Sequence, residues 1–339
     1  MPKRPTIADI ARQAGVSTGA VSYALSGQPG VSDTTRTRIV AIANEVGWRP
    51  NIAARALSVS RAHAVGLILS RPARTLGVEA FFMQFIAGLE AELASRRIAL
   101  LLQVVSDHEA AIEAMRMWWA ERRIDGLIIT DVFQDDIRIP FLNSIGIPAV
   151  LVGRPIASSS APGVWSDDAA AVTSVVDYLA TLGHTRVARV AGLRALDHTA
   201  VRTEAFRAAM RRQGVDDPAV IDTDYTWEEG ARATRRLLTL RNRPTAITYD
   251  NDMMAVAALG VAREMGIRIP EDLSIVAGDD SQLCVLVHPT VSALARDIPS
   301  YGANAARTLV AVIESQPASS FQDVTAQLIP RGSTAPARD

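Results

Sequence analysis

Beyond about residue 63, short apolar runs alternate with longer amphipathic stretches, and this alternation constrains the fold more than any other feature. The runs are AVGLILS (64–70), IALLLQVV (98–105), DGLIIT (125–130) and PAVLVG (148–153). After the loop-forming ASSSAPG (157–163) come RVARVAG (186–192), TAITY (245–249) and LSIVAG (273–278). Near-continuous apolar runs of strand length, separated by helix-length segments, predict strands buried on both faces in parallel sheets flanked by helices. Two successive series predict two such subdomains, and the cleft between them is the default ligand site. The tail RGSTAPARD carries no heptad and is expected to be loose.

The first 47 residues follow a different pattern, that of three short helices. Thr6 is placed to cap the first, with Asp9 three residues on as its capping-box partner and Ile7, Ile10 and Ala11 on the inner face. Gly15 ends it. Ser17 caps a second helix whose Val16, Val21, Ala24 and Leu25 face inward, and Ser32 caps a third carrying Ile39, Ile42, Ala43 and Val46, with Gly47 as the stop. WRPNIAARALSVSRAH (48–63) follows as a connector, in which Pro50 blocks continuation and Asn51 can cap one short helix over 52–58.

Charge separates the two regions. Residues 1–61 hold eight Lys/Arg against three Asp/Glu, a net of +5, which leaves −6 for the remainder of a chain whose total is −1. A basic end on an acidic body points to a polyanion met by that end alone. The single cysteine, Cys284, excludes an intrachain disulfide and a cysteine-built zinc site, as in a reducing cytosol. The N-terminus MPKRPTIADI has no apolar core of a secretory signal, and no apolar run reaches the length of a membrane span.

Enzyme signatures were weighed against these features. Gly15-Val-Ser17-Thr-Gly19 matches G-x-S-x-G, but a nucleophile elbow needs a strand leading into it, and here a helical ADIARQA precedes. The chain has no dinucleotide fingerprint, Walker loop or paired-histidine metal motif, and its five histidines are scattered, so no cofactor or metal is expected. The paired acids Asp167-Asp168 and Asp279-Asp280 read as ligand contacts and structural hydrogen-bonders at strand ends rather than as acid–base catalysts.

Seen from outside, the second helix presents Thr18, Gly19, Ser22 and Tyr23, with 18 stacked on 22 and 19 on 23. Helix, tight turn at Gly15 and second helix make a helix-turn-helix, the arrangement that places its second helix in the major groove. A glycine inside that helix costs about 1 kcal/mol relative to alanine. Close approach to another surface is one return for it.

TIADIARQAGVSTGAVSYALSGQPGVSDTTRTRIVAIANEVGWRPNIAARAL resembles the N-terminal signature of the lactose-repressor/galactose-repressor family of bacterial transcription regulators. The A-x3-GVS turn and the N-x2-A-R-x-L linker fall in register. The likeness continues through LGH (182–184), R-x3-F (202–206), ND (251–252), DD (279–280) and RGST (331–334).

The resemblance implies an α/β chain: a small all-α helix-turn-helix head over 1–48, a hinge helix or linker over 49–62, and a core over 63–339. The core would be periplasmic-binding-protein-like, with two doubly wound parallel-sheet lobes. The N-lobe would span about 63–162 plus 293–324, and the C-lobe about 163–292 plus 325–335. It further implies base reading by Thr18, Gly19 and Tyr23, with Ser17, Ser22, Thr6 and Asn51 as further DNA contacts. Leu57, flanked by Ala54 and Arg55, would be an apolar wedge at a central minor-groove step. Effector contacts would fall on Arg202, Asn251 and Asp279, with His198 and Tyr225 beside them. Gly278 stands where many relatives carry a large aromatic, which would widen the pocket.

The function so implied is a cytoplasmic, homodimeric, DNA-binding transcription regulator, a repressor rather than an enzyme. Its affinity for a pseudo-palindromic double-stranded operator would be set by a small effector. A sugar is the first expectation and a purine corepressor the alternative. An exported solute-binding protein and a Ser17 hydrolase are the readings from other classes.

Overall fold

The structure, a computed structural model, describes residues 5–48, 61–71 and 79–338. Contacts divide the chain into two units, Met1–Ala62 and His63–Asp339. The expected hinge helix, with Asn51, Ala54, Arg55 and Leu57, lies outside the described residues.

The first unit contains helices α1 (Ile7–Ala14), α2 (Thr18–Ser26) and α3 (Asp33–Glu45). Local chemistry fixes each boundary. The Thr6 hydroxyl accepts the Asp9 amide while the Asp9 carboxylate accepts the Thr6 amide at 2.9 Å, a closed capping box. Ser17 accepts the Ala20 amide at 3.1 Å, and Ser32 caps α3 through the Thr35 amide. Gly15 (φ 64°) and Gly27 (φ 75°) end α1 and α2 in the left-handed region, where a side chain would be strained. Ile10, Ala11, Ala14, Val21, Ala24, Ile39 and Ala43 are buried together. So small a core needs these caps, because each satisfies backbone donors at about 1 kcal/mol.

The second unit holds two six-stranded sheets. The first comprises β1 (Ala64–Leu69), β2 (Ala99–Val104), β3 (Gly126–Ile129), β4 (Ala149–Val152), β5 (Gly163–Ser166) and β11 (Phe321–Asp323), in the order β11-β5-β4-β3-β1-β2. The second comprises β6 (Val187–Ala191), β7 (Val220–Asp222), β8 (Ala246–Tyr249), β9 (Ser274–Ala277), β10 (Ser292–Ala295) and β12 (Gln327–Ile329), in the order β12-β10-β9-β8-β6-β7. Every named pairing is parallel except β10 with β12.

Successive side chains of a strand feed opposite layers. Leu67 joins Phe85 and Leu89 of helix α4 (Ala80–Ser95), while neighbouring Ile68 joins Met115 and Trp118 of α5 (His108–Ala120). Helix α6 (Arg138–Ile145) completes that layer through Leu142. In the second sheet Val187 packs with α7 (Asp168–Thr181) and α8 (Asp197–Arg212), and Ala188 with α9 (Trp227–Leu238) and α10 (Asp252–Glu264). A short α11 (Gln282–Leu286) follows β9, and α12 (Ile298–Ile313) packs on α4 beneath the first sheet.

The lobe limits differ from the sequence expectation. β5 pairs with β4 in the first sheet and β10 with β9 in the second, so the chain crosses between lobes after Ser166 and after Ala295, with a third passage between Asp323 and Gln327. ASSSAPG is a loop within the first lobe, held by Asn143, whose Nδ2 donates to the Ser158 carbonyl at 2.6 Å and whose Oδ1 accepts from Ser160. A four-residue strand, GVWS, directly behind a Ser/Pro/Gly loop is too short to show a period.

The fold also explains two family motifs. His184 of LGH contacts Thr245 (2.9 Å), Ser274 (3.0 Å) and the Ala335 carbonyl (3.0 Å), and Arg331 of RGST makes a bidentate pair with Asp280 of DD, both bonds 2.7 Å. The tail expected to be loose is tied down as far as Ala337, whose amide donates to the Leu182 carbonyl at 2.8 Å.

Helices α4 and α12 approach closely at two glycines. A Cβ on Gly88 would lie 1.9 Å from the Pro299 carbonyl oxygen, and one on Gly302 would lie 2.3 Å from that of Phe85. Gly260, also helical, would meet nothing within 4 Å. Gly88→Ala is therefore expected to lower stability by about 1–3 kcal/mol or more, whereas Gly260→Ala raises it by up to about 1 kcal/mol. Thermal unfolding of the two variants checks the opposite signs.

Candidate functional site

Two surfaces carry the chemistry, one on each unit. On the head, Thr18, Gly19, Ser22 and Tyr23 are all exposed along one side of α2, and Tyr23 keeps 49% of its surface open. A Cβ on Gly19 would touch only the Ser17 hydroxyl, at 3.8 Å. Among the described residues of the head, nothing demands a glycine there. Arg36 of α3 donates to the carbonyls of Tyr23 (3.2 Å), Ala24 (2.7 Å) and Gln28 (2.7 Å), closing the end of α2, while a Cβ on Gly30 (φ 117°) would lie 3.5 Å from the Tyr23 ring.

Arg36 was missed from the sequence, where it counted only as one of the basic residues. Thr6 spends its hydroxyl on Asp9, donating at 2.7 Å, and so is a cap first. Ser17 accepts one amide and keeps its hydroxyl proton for an outside acceptor. No strand enters Ser17: α1 and a left-handed Gly15 precede it, which removes the hydrolase reading.

In the second unit a cavity of about 260 Å³ opens between the lobes at the carboxyl ends of the parallel strands, the usual ligand position in such sheets. The lobes touch at its mouth. Phe133 bridges to Leu196, the Asp197 amide donates to the Val132 carbonyl at 2.9 Å, and Arg154 makes a bidentate pair with Asp197 at 2.8 and 3.1 Å. Arg71, after β1, is bidentate to Asp131 at 2.7 and 3.0 Å and lies over the Tyr225 ring at 4.8 Å.

Of the expected effector residues, Arg202, His198, Tyr225 and Asp279 line this cavity. Arg202 donates to Asp168 at 2.9 and 3.1 Å, and Arg296 reaches the same oxygen at 3.3 Å. Burial would raise the Asp168 pKa, but the two guanidiniums overcome it and hold the carboxyl down at about 2. Burial and then Arg202 push His198 down to about 4, so its ring is neutral at pH 7, with Nε2 3.0 Å from the Tyr225 hydroxyl. Tyr225 sits at φ 70°, and Gly192 leaves the space for its ring, since a Cβ there would lie 1.9 Å from it.

Two expectations are corrected. Asn251 does not reach the cavity: it is 2% exposed, its Oδ1 caps α10 through the Met254 amide at 3.0 Å, and its Nδ2 donates to the Tyr225 carbonyl at 3.0 Å. It therefore positions the Tyr225 loop, and the neighbouring Asp250 faces the cavity instead. Gly278 does not widen the cavity, because a Cβ there would lie 2.4 Å from the Asp250 carbonyl oxygen.

Glu79, Arg71, Asp131, Arg154 and Arg296 line the cavity without having been singled out from the sequence. The available signal was a charged residue just beyond an apolar run, which is weak by itself. Glu79 is 8% exposed, and burial pushes its carboxyl up to about 7, while Asp279, raised by burial against the pull of Arg296 and Arg202, reaches about 6. Among the described residues no group of His, Cys, Asp or Glu is arranged to hold a metal, and no helix is long and apolar enough to cross a membrane.

A helix-turn-helix head and a two-lobed core with a charged interlobe cavity define a ligand-responsive DNA-binding regulator. Residues 6–51 match bacterial regulatory proteins of the lacI family, and 176–334 match a periplasmic binding protein-like domain. The chain is 31% identical to the HTH-type transcriptional regulator reg1 of Streptomyces lividans over 344 residues, covering 98% of this chain and 97% of that protein. It is 30% identical to the HTH-type transcriptional regulator CelR of Thermobifida fusca, over 91% of this chain and 92% of that protein. Its fold superposes on a solved CelR–cellobiose complex with a TM-score of 0.75 at 27% identity, over 97% of this chain and all of that one. The chain belongs to the lacI family of bacterial regulatory proteins, and so acts as a transcription regulator rather than an enzyme.

The raised Glu79 pKa has a stability consequence. The folded state holds this proton more tightly than the unfolded one, so stability falls as pH rises from about 4.5 to about 7 and stays lower above that. Glu79→Gln removes the effect. Relative to the parent, its unfolding midpoint should be similar at pH 4 and higher by several degrees at pH 8, since each pKa unit is worth about 1.4 kcal/mol. Thermal unfolding across that range checks the sign.

Proposed function

We propose that this chain is a homodimeric repressor of the bacterial cytoplasm. It would bind a pseudo-palindromic operator through α2 and its linker, and change operator affinity when a small sugar occupies the interlobe cavity. The observation that carries the reading is the cavity lining, where Asp168, Arg202 and Arg296 line the same cavity as Tyr225 of one lobe and Tyr301 of the other. Carboxylates and guanidiniums match the hydroxyls of a sugar, and aromatic faces suit its apolar side. The bound sugar of the CelR complex is consistent with this chemistry.

Two surfaces suit a second copy. The edge strand β2 exposes Leu102 and Val104, and α11 exposes Val285 and Leu286, the last at 77%. A two-fold dimer predicts inverted half-sites. On each half-site Thr18 and Tyr23 offer hydroxyl contacts and Gly19 lets the helix approach, so direct base reading is sparse. Ser17 and Ser22 would contact phosphates beside them. Leu57, with Ala54 and Arg55, would add an intercalating wedge at the centre, where unstacking is repaid by contact with bent DNA.

Selection of duplexes from a random-sequence pool should recover an inverted repeat whose binding weakens steeply with salt, because each neutralised phosphate releases counterions. Leu57→Ala should weaken binding to the selected duplex at least about tenfold, equivalent to about 1.4 kcal/mol, while leaving sugar affinity unaltered. Unselective recovery with a flat salt dependence would refute the DNA reading. Unchanged operator affinity would refute the wedge.

A further inference from the structure

Among the described residues, the cavity holds more carboxylates than its arginines neutralise. Arg71 is committed to Asp131, Arg154 to Asp197, and Arg202 and Arg296 together to Asp168. Asp250 is held by Arg189 and by the Gly192 amide at 2.7 Å, and Asp167 caps α7 through the Ala170 amide at 2.9 Å. Glu79 and Asp279 are left over. Glu79 is more than nine-tenths buried and lines the cavity, and among the described residues its Oε2 has no hydrogen-bond partner. The Asp279 carboxylate also lines the cavity, and among the described residues no side-chain or backbone donor holds it.

These two acids come from different lobes, Glu79 from the N-cap of α4 and Asp279 from just beyond β9, and each disfavours charge on the other. Arg71 offsets the Glu79 charge, and Arg296 and Arg202 the Asp279 charge, only in part, so the two like charges oppose closure of the cavity and a cation between them would reverse that sign. The unused donors are equally specific. Arg71 Nη1 and Arg296 Nε, on cavity-lining residues, are buried without partners among the described residues, and a guanidinium N–H requires an acceptor oxygen. The cavity thus asks for one cationic nitrogen and several acceptor oxygens in a small ligand, which neither a neutral sugar nor a neutral purine supplies.

We propose that the effector is an amino sugar, with its ammonium between Glu79 and Asp279 and its ring or hydroxyl oxygens accepting from Arg71 and Arg296. The inference rests on the reading of the cavity as a sugar site and narrows it to a charge class.

Isothermal titration of the full-length protein at pH 7 with matched pairs tests it: glucosamine against glucose, galactosamine against galactose, mannosamine against mannose. The expected result is that at least one amine binds about tenfold or more tightly than its hydroxyl counterpart, a difference of about 1.4 kcal/mol. In Glu79→Gln that ratio should fall to near one, and Asp279→Asn, which alters the other lobe, should reduce it independently if the first variant does not fold. The inference is overturned if the neutral member of each pair binds as tightly, if no amine binds, or if both variants keep the preference. Neutral sugars that bind as tightly as their amines and shift affinity for the selected operator would leave the sugar reading standing while removing the amino-sugar one. Failure of both sets to bind would remove both.

Discussion

The Asp168 carboxylate is the point on which the ligand-binding unit depends. It stands at the first turn of α7, directly after the chain crosses from one lobe to the other, and takes hydrogen bonds from Arg202 on α8 and from Arg296 at the second crossing. The third passage is tied to the first, since the Ser166 hydroxyl donates to the Val324 carbonyl at 3.0 Å. The first two connections thus meet at one small polar cluster that lines the cavity, and the third is tied to the first. Breaking a buried ion pair by removing one partner costs about 3–5 kcal/mol. A ligand that competes for Arg202 or Arg296 therefore acts on the joint between the lobes as well as on a binding surface.

The head works by a different economy. Its core is too small to tolerate loose ends, so the boundaries are set by Thr6, Ser17 and Ser32 at the helix starts and by left-handed glycines at the ends of α1 and α2. Arg36 satisfies the last carbonyls of α2 from a neighbouring helix. With its ends satisfied internally, α2 can leave one side almost bare. Gly19 makes that side slim, and Arg36 holds the backbone of Tyr23 beside it.

What could be read from the chain beforehand followed the strength of each local signal. Caps such as Thr6 with Asp9 are written in three or four adjacent residues, and β1, β3, β4, β6, β8 and β9 are apolar runs without rivals nearby. β7, β11 and β12 are three residues long and exist through pairing with distant partners, so no window along the sequence contains their cause. The first lobe crossing was misplaced for the same reason: Gly163–Ser166 is a strand because β4 and β11 flank it. At the cavity the same division holds. Arg202 carried a motif, whereas Glu79 lies beside no signature and owes its character to burial between elements far apart in sequence. Asn251 shows the converse, a residue singled out by motif whose side chain serves the backbone of α10 and of the Tyr225 loop.

Operator and effector are joined in this account by a single free energy, and thermodynamic linkage makes that coupling reciprocal. The most direct measurement is a paired titration of the full-length protein, with selected operator at several fixed sugar concentrations and with sugar at several fixed operator concentrations. The account predicts that operator affinity changes with sugar, and that sugar affinity changes with operator by the same factor. A sugar that binds with equal affinity to the free and the operator-bound protein would contradict it.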